Sequence, residues 1–289
     1  MRRAPIHVCV PRQSRGIMAA VRAAAAVSLL AAAGCSAGLA TMQPAQTLPK
    51  GGWHAGAGVN VQIPVTRTLE VLDAAQDIDD SYVKNPDYTP TEEEQHRYQD
   101  AMLGLALSAP GATVDLMLRH GFARRFDAGV RFTTTAVHAD GKYQFLGEGD
   151  GSGWDGAISL GYAHHLFDSL VFDVLEHLGI DDFAREDLQI PLIFGRRMGQ
   201  WGFLWGGPKY VLTYYAVDAR IANAAEVEST EGFVHYVGGF AGVALGWRWV
   251  HAIAELTVMD LIAKPTIAGR EVDVGGIIVV PSLGLMARW

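Results

Sequence analysis

The sequence predicts an all-β fold: an antiparallel transmembrane β-barrel of about ten strands with short helices in its long outer loops. Three observations carry that reading. Apolar residues recur with period two over many segments, the connections between those segments alternate short and long, and all seven tryptophans fall beside the short ones. Composition agrees. Hydrophobic residues make up 49% and charged residues 19%, which excludes a disordered chain. The 33 glycines follow no triplet period and suit a turn-rich β protein. A net charge of −8 argues against nucleic acid as a partner, because phosphate binding needs a basic face.

Residues 1–34 hold five arginines (Arg2, Arg3, Arg12, Arg15, Arg22) and no acid, and end in the apolar run Ala23–Ala33. A charged start, a short apolar core and a small-residue exit describe a secretory signal peptide. The run is too short to span a bilayer. Met18 offers an alternative start that gives a more ordinary signal and drops Cys9. Ala33-Gly34-Cys35 resembles the lipobox of bacterial lipoproteins, which implies lipidation of Cys35, although that family usually carries leucine where Ala32 stands. Plain cleavage a few residues further on is the alternative. Residues 35–50 then read as a tether and residues 51–289 as the barrel. Once the five arginines leave, 18 bases face 31 acids, a net charge of −13.

From Trp53 to Val65 every odd residue is apolar, while His54, Asn60 and Gln62 occupy even positions. That is a strand with one dry and one wet face. The pattern returns at 114–119 and 128–133, and further strands are expected near 137–146, 154–165, 188–197, 202–216, 233–247, 249–260 and 276–289. Beyond the signal no uninterrupted apolar run reaches helix length, so helical membrane spans are not expected. Turns near 123–126, 147–153, 198–200 and 247–250 are short. Linkers 66–111, 166–187, 217–232 and 261–275 are long, with one short link near 135–137. Outer-membrane barrels are built this way, with the short turns periplasmic. Trp53, Trp154, Trp201, Trp205, Trp247, Trp249 and Trp289 are expected to form an interface girdle at the short-turn rim, against the lipids of a bacterial outer membrane.

Leu283, Leu285, Ala287 and Trp289 alternate up to a final aromatic residue. This resembles the terminal strand signal of bacterial outer-membrane barrels, which implies recognition by the barrel-insertion machinery of that membrane. The stretch Arg119–Arg131 resembles the periplasmic hairpins of small outer-membrane proteins of Gram-negative bacteria. Those resemblances cover roughly residues 50–289 and speak to architecture rather than activity.

Strand parity turns ten charged side chains inward: Asp115, Asp127, Asp140, Asp155 and Glu255 against Arg119, Arg131, Lys142, Lys209 and Arg288. Five acids and five bases nearly cancel, which favours a paired, self-plugged lumen over a small polar channel. In the loops, Thr91 and Glu94 make a capping box, and Phe167, Leu170, Val171, Val174, Leu175 and Leu178 form an apolar helical face. Loop 66–111 carries ten acids and loop 166–187 seven. Asp77-x-Asp79-x-Ser81 begins like a calcium loop, but Tyr82 stands where the tight turn needs glycine, so a solvated acidic face is the expectation. His138, Asp140 and His165 fall at the outer strand ends. His138-Ala-Asp140 is similar to the Asp–His pair of omptin-type outer-membrane proteases, but no second aspartate pair accompanies it. Rim histidines in water are the simpler reading. No catalytic, cofactor or metal motif is found. The sequence therefore favours a non-enzymatic envelope structural or surface-interaction barrel. An outer-rim hydrolase and a narrow polar pore remain the alternatives.

Overall fold

The computed structural model describes residues 38–66, 108, 110–147, 153–166, 180–220, 227–264, 266–267, 270–271, 273 and 275–289. Ten antiparallel strands close into one barrel. They are β1 (Trp53–Pro64), β2 (Gly111–Ala123), β3 (Phe126–Thr133), β4 (Ala136–Leu146), β5 (Trp154–His165), β6 (Ile180–Arg197), β7 (Gly202–Arg220), β8 (Val227–Trp247), β9 (Val250–Ile262) and β12 (Gly276–Arg288). Each pairs with its neighbour in sequence, and β1 closes the ring by pairing His54 with Arg288 on β12 and with Arg119 on β2. A small separate hairpin, β10 (Thr266–Ile267) with β11 (Arg270–Glu271), decorates the connection between β9 and β12.

The barrel is polar inside and apolar outside. Val59, Leu116, Phe132, Leu160, Leu256 and Leu285 are exposed, while Asn60, Gln62, Thr113, Asp115, Lys142 and Thr257 are buried. A soluble barrel would show the reverse. Alternation with the dry face outward is the arrangement of a barrel that meets lipid.

Short turns gather at one rim. The two-residue turns between Ala123 and Phe126 and between Trp247 and Val250 each place an arginine at positive φ, Arg125 at 69° and Arg248 at 57°. Between β6 and β7 the Met198 amide donates to the Gly202 carbonyl at 2.8 Å.

At the opposite rim the strands run longer than the sequence suggests. β6 starts at Ile180 and β8 at Val227, both inside segments expected to be loops. The cause is visible in β6: Arg185 and Asp187 face a charged lumen and Glu186 faces outward, so no apolar alternation marks the strand. The helices expected around 91–105 and 167–178, and the acidic stretch 77–81, lie outside the described residues.

Candidate functional site

The inside of the barrel is the candidate site, and its main occupant is the chain itself. Residues 38–50 run inside the lumen from the short-turn rim toward the other end, and Gly38 through Gln46 are buried. A ten-stranded barrel is wider than the eight-stranded kind that side chains alone can fill, so one extended segment fits. Two glycines leave the room. A Cβ on Gly58 would stand 2.5 Å from Met42 Cε, and one on Gly121 would collide with the Pro49 carbonyl. The return into β1 is clamped to β2, Gly51 N–H donating to Gly121 O at 2.8 Å and Gly121 N–H to Gly52 O at 2.9 Å.

An extended segment away from water must find partners for its amides and carbonyls. Wall side chains supply them. Leu48 N–H donates to Asp127 Oδ2 at 2.8 Å, and Thr47 N–H to Gln144 Oε1 at 3.0 Å. Lys142 Nζ donates to the carbonyls of Pro44 at 2.9 Å and Gln46 at 3.2 Å. Higher up, the Glu255 carboxylate accepts from Thr41 N–H at 2.5 Å, Met42 N–H at 2.7 Å and Trp205 Nε1–H at 2.9 Å. Lys209 Nζ donates to Leu39 O at 2.7 Å. Arg131 donates to Ala40 O at 2.6 Å and Gly38 O at 3.1 Å, and Gln189 Nε2 reaches Gly38 O at 3.3 Å. Apolar strap residues are satisfied too: Ala40, Met42 and Ala45 pack with Met117, Ile193, Phe203, Trp205, Phe240 and Met286. Beside the strap a cavity of about 20 Å³ remains between Thr41, Arg131 and His138, room for about one water.

All ten charged residues expected in the lumen face it, but their partners differ from simple mutual pairing. One Arg119 nitrogen donates to both Asp140 oxygens at 2.7 Å and the other to Asp127 Oδ1 at 2.6 Å. Asp155 accepts from Gln144 Nε2 at 2.9 Å. Arg288 lies over the Phe203 ring at 4.8 Å. Asp115 stands 3.5 Å from Arg131 but accepts no hydrogen bond from the described residues, so that contact is Coulombic only. Three cations, Arg131, Lys142 and Lys209, direct donors to strap carbonyls rather than only to carboxylates. Side-chain parity alone pairs those donors with acids, because it carries no sign of the strap carbonyls.

A second polar layer, which no sequence pattern marks, lies above Gly38. His165 Nε2 lies 2.9 Å from Asp187 Oδ2, Arg185 Nε donates to Asp187 Oδ1 at 3.0 Å, and Thr213 donates to the same oxygen. Arg185 also lies over Tyr236 at 5.4 Å. His165 and His138 are therefore buried in the lumen, not set in water at the rim. Asp140 is engaged by Arg119 and by the Ser159 hydroxyl at 2.9 Å, while both ring nitrogens of His138 lack a hydrogen-bond partner among the described residues. No Asp–His hydrogen bond joins His138 to Asp140.

Six tryptophans, Trp53, Trp154, Trp201, Trp247, Trp249 and Trp289, are exposed at the short-turn rim. Trp205 corrects the expected girdle. It is 2% exposed and points inward to Glu255. The odd parity that turns Lys209 inward on β7 also turns Trp205 inward.

These features define a class: a closed, ten-stranded antiparallel barrel of outer-membrane type whose lumen is filled by its own N-terminal strap. No protein-family model matches the chain, and comparison with curated proteins finds no match. Among solved structures it is similar to Ail, the attachment invasion locus protein of Yersinia pestis, at 10% identity and a TM-score of 0.34 over 83% of this chain and 99% of that one. It is also similar to Neisserial surface protein A, at 9% and 0.35 over 82% and 94%. A third is the N-terminal β-barrel domain of Pseudomonas aeruginosa OprF, at 8% and 0.29 over 83% and 98%. With identities and TM-scores this low, the fold rests on the strand pairing itself.

Proposed function

We propose that this protein is a non-enzymatic bacterial outer-membrane barrel, structural or surface-interacting, kept closed by its N-terminal strap. The observation that carries the reading is the capture of the strap backbone by Arg131, Lys142, Lys209, Asp127 and Glu255. A pore has no reason to spend its lumen charges on its own main chain. The hydrolase alternative loses its pair, because Asp140 serves Arg119.

Lipidation at Cys35 belongs to the same proposal, and the course of the strap supports a place for the lipid. Gly38 packs beside Thr133, at the end of β3 away from its turn. Two residues, Ser36 and Ala37, separate Cys35 from Gly38, and the three steps reach at most about 11 Å. The lipid is thereby directed to the long-loop mouth, which faces outward when the short turns are periplasmic.

Two measurements test this. Reconstituted protein is expected to show conductance near background, and a steadily conducting preparation refutes the closed barrel. An epitope inserted after Ser36 is expected to bind antibody on intact cells. Binding only after permeabilisation contradicts the threading.

A further inference from the structure

His138 is a buried imidazole beside the outer half of the strap, and neither ring nitrogen has a hydrogen-bond partner among the described residues. Strand pairing sets it directly opposite Arg131 on β3. Its ring lies over Gly161 of β5, where a Cβ would stand 2.7 Å from Nε2. It shares the wall of the small cavity beside the strap with Thr41, Gln43, Arg131 and Lys209. Those two cations hold the outer strap carbonyls, Arg131 those of Gly38 and Ala40, and Lys209 that of Leu39.

The described carboxylates around the ring are committed elsewhere. Asp140, two residues on along β4, accepts from Arg119 with both oxygens and from Ser159. Asp115 lies two strands away on β2, against the far side of Arg131. One layer up, Asp187 of β6 is engaged by Arg185 of the same strand, His165 of β5 and Thr213 of β7. The strap residues 38–49 carry no charge. A proton added to His138 therefore places a third positive charge beside Arg131 and Lys209 in a poorly hydrated interior, where like charges repel strongly.

We infer that His138 is an acid-sensitive latch on the strap: proton uptake at its ring releases Gly38 through Met42, while Pro44 through Leu48 stay held by Lys142, Asp127 and Gln144. The latch rests on the strap-closed reading of the barrel. Once the outer strap lifts, the ring meets water and takes a proton as an ordinary histidine does, at about pH 6.5. While the latched ring stays neutral, each pH unit below that value favours release by up to about tenfold, so about pH 5 gives up to roughly 30-fold.

The test is hydrogen exchange of the strap amides, read by mass spectrometry on full-length protein in a detergent with an uncharged headgroup. Exchange chemistry itself varies with pH, so the parent and His138→Gln are compared at the same pH. That variant keeps His54, His165, His251 and every carboxylate, Glu255 included. At about pH 7.5 the Thr41, Met42, Thr47 and Leu48 amides are expected to be protected alike in both proteins. At about pH 5 Thr41 and Met42 of the parent should exchange at least about tenfold faster than those of the variant, with Thr47 and Leu48 unchanged. Equal exchange of Thr41 and Met42 in the two folded proteins at the lower pH overturns the latch and leaves the closed barrel standing. Strap amides unprotected at the higher pH overturn both. If His138→Gln lacks the heat-modifiable gel migration of a folded barrel, the parent decides alone. Its Thr41-to-Thr47 exchange ratio should then rise at least about tenfold between the two pH values, and a constant ratio overturns the latch.

Discussion

Glu255 is the residue on which the strap depends most, and Glu255→Ala tests it. The carboxylate accepts three buried donors, Thr41 N–H, Met42 N–H and Trp205 Nε1–H, at 2.5, 2.7 and 2.9 Å. A stranded buried donor costs about 1–3 kcal/mol, so three come to roughly 3–9 kcal/mol. Water admitted into the vacated space satisfies part of that, which leaves about 3–5 kcal/mol, the range found when one partner of a buried charged pair is removed. For a domain this long about 1 kcal/mol moves Tm by roughly 2–4 °C, so a fall on the order of 10 °C is expected. Glu255→Gln keeps one acceptor oxygen and should lose about 1–3 kcal/mol. The assay is thermal unfolding in detergent, followed by tryptophan fluorescence, because Trp205 reports directly on the site. A Glu255→Ala barrel that melts with the parent refutes the assignment of the strap to this carboxylate.

Two further expectations follow from the same geometry. Arg131→Ala removes the donors to Gly38 O and Ala40 O and should destabilise the barrel by about 3–5 kcal/mol. Conductance should stay near background, since Lys142 and Glu255 still hold the strap below, and a neutral substitution in a steadily conducting protein contradicts the closed lumen. The six exposed tryptophans should be quenched more by lipids brominated near the headgroup than by lipids brominated at the tail ends. Equal quenching by both places them away from the interface.

The barrel was legible because lipid leaves a periodic trace: every strand that faces it must alternate, as Trp53–Pro64 does. Where both faces are polar the trace vanishes, which is why the sequence marks residues 180–187, the start of β6, as loop. The ten lumen charges follow from strand parity, and the same parity, fixed by Lys209 four residues on, turns Trp205 inward and out of the expected girdle. The strap left the weakest signal. Residues 38–49 have no period and no charged side chain. That absence is the available clue, since a solvated tether gains nothing from twelve uncharged residues while a lumen full of cations needs carbonyl partners. Long-range capture of irregular chain by side chains has no sequence period to reveal it.

The most direct test of the strap is a covalent one. Ala45 Cβ lies 3.2 Å from the position of a Cβ on Gly195, inside the barrel wall. Disulfides join Cβ atoms about 3.5–4.5 Å apart, a few tenths of an ångström away. The Ala45→Cys/Gly195→Cys double variant, oxidised in the folded state and then denatured without reductant, should run as a faster, looped chain on a gel and revert when reduced. Ala45→Cys with Phe194→Cys, whose side chain faces outward, should not cross-link. Two free thiols in the first variant, or equal cross-linking in both, would place residues 38–50 outside the lumen and contradict the closed barrel.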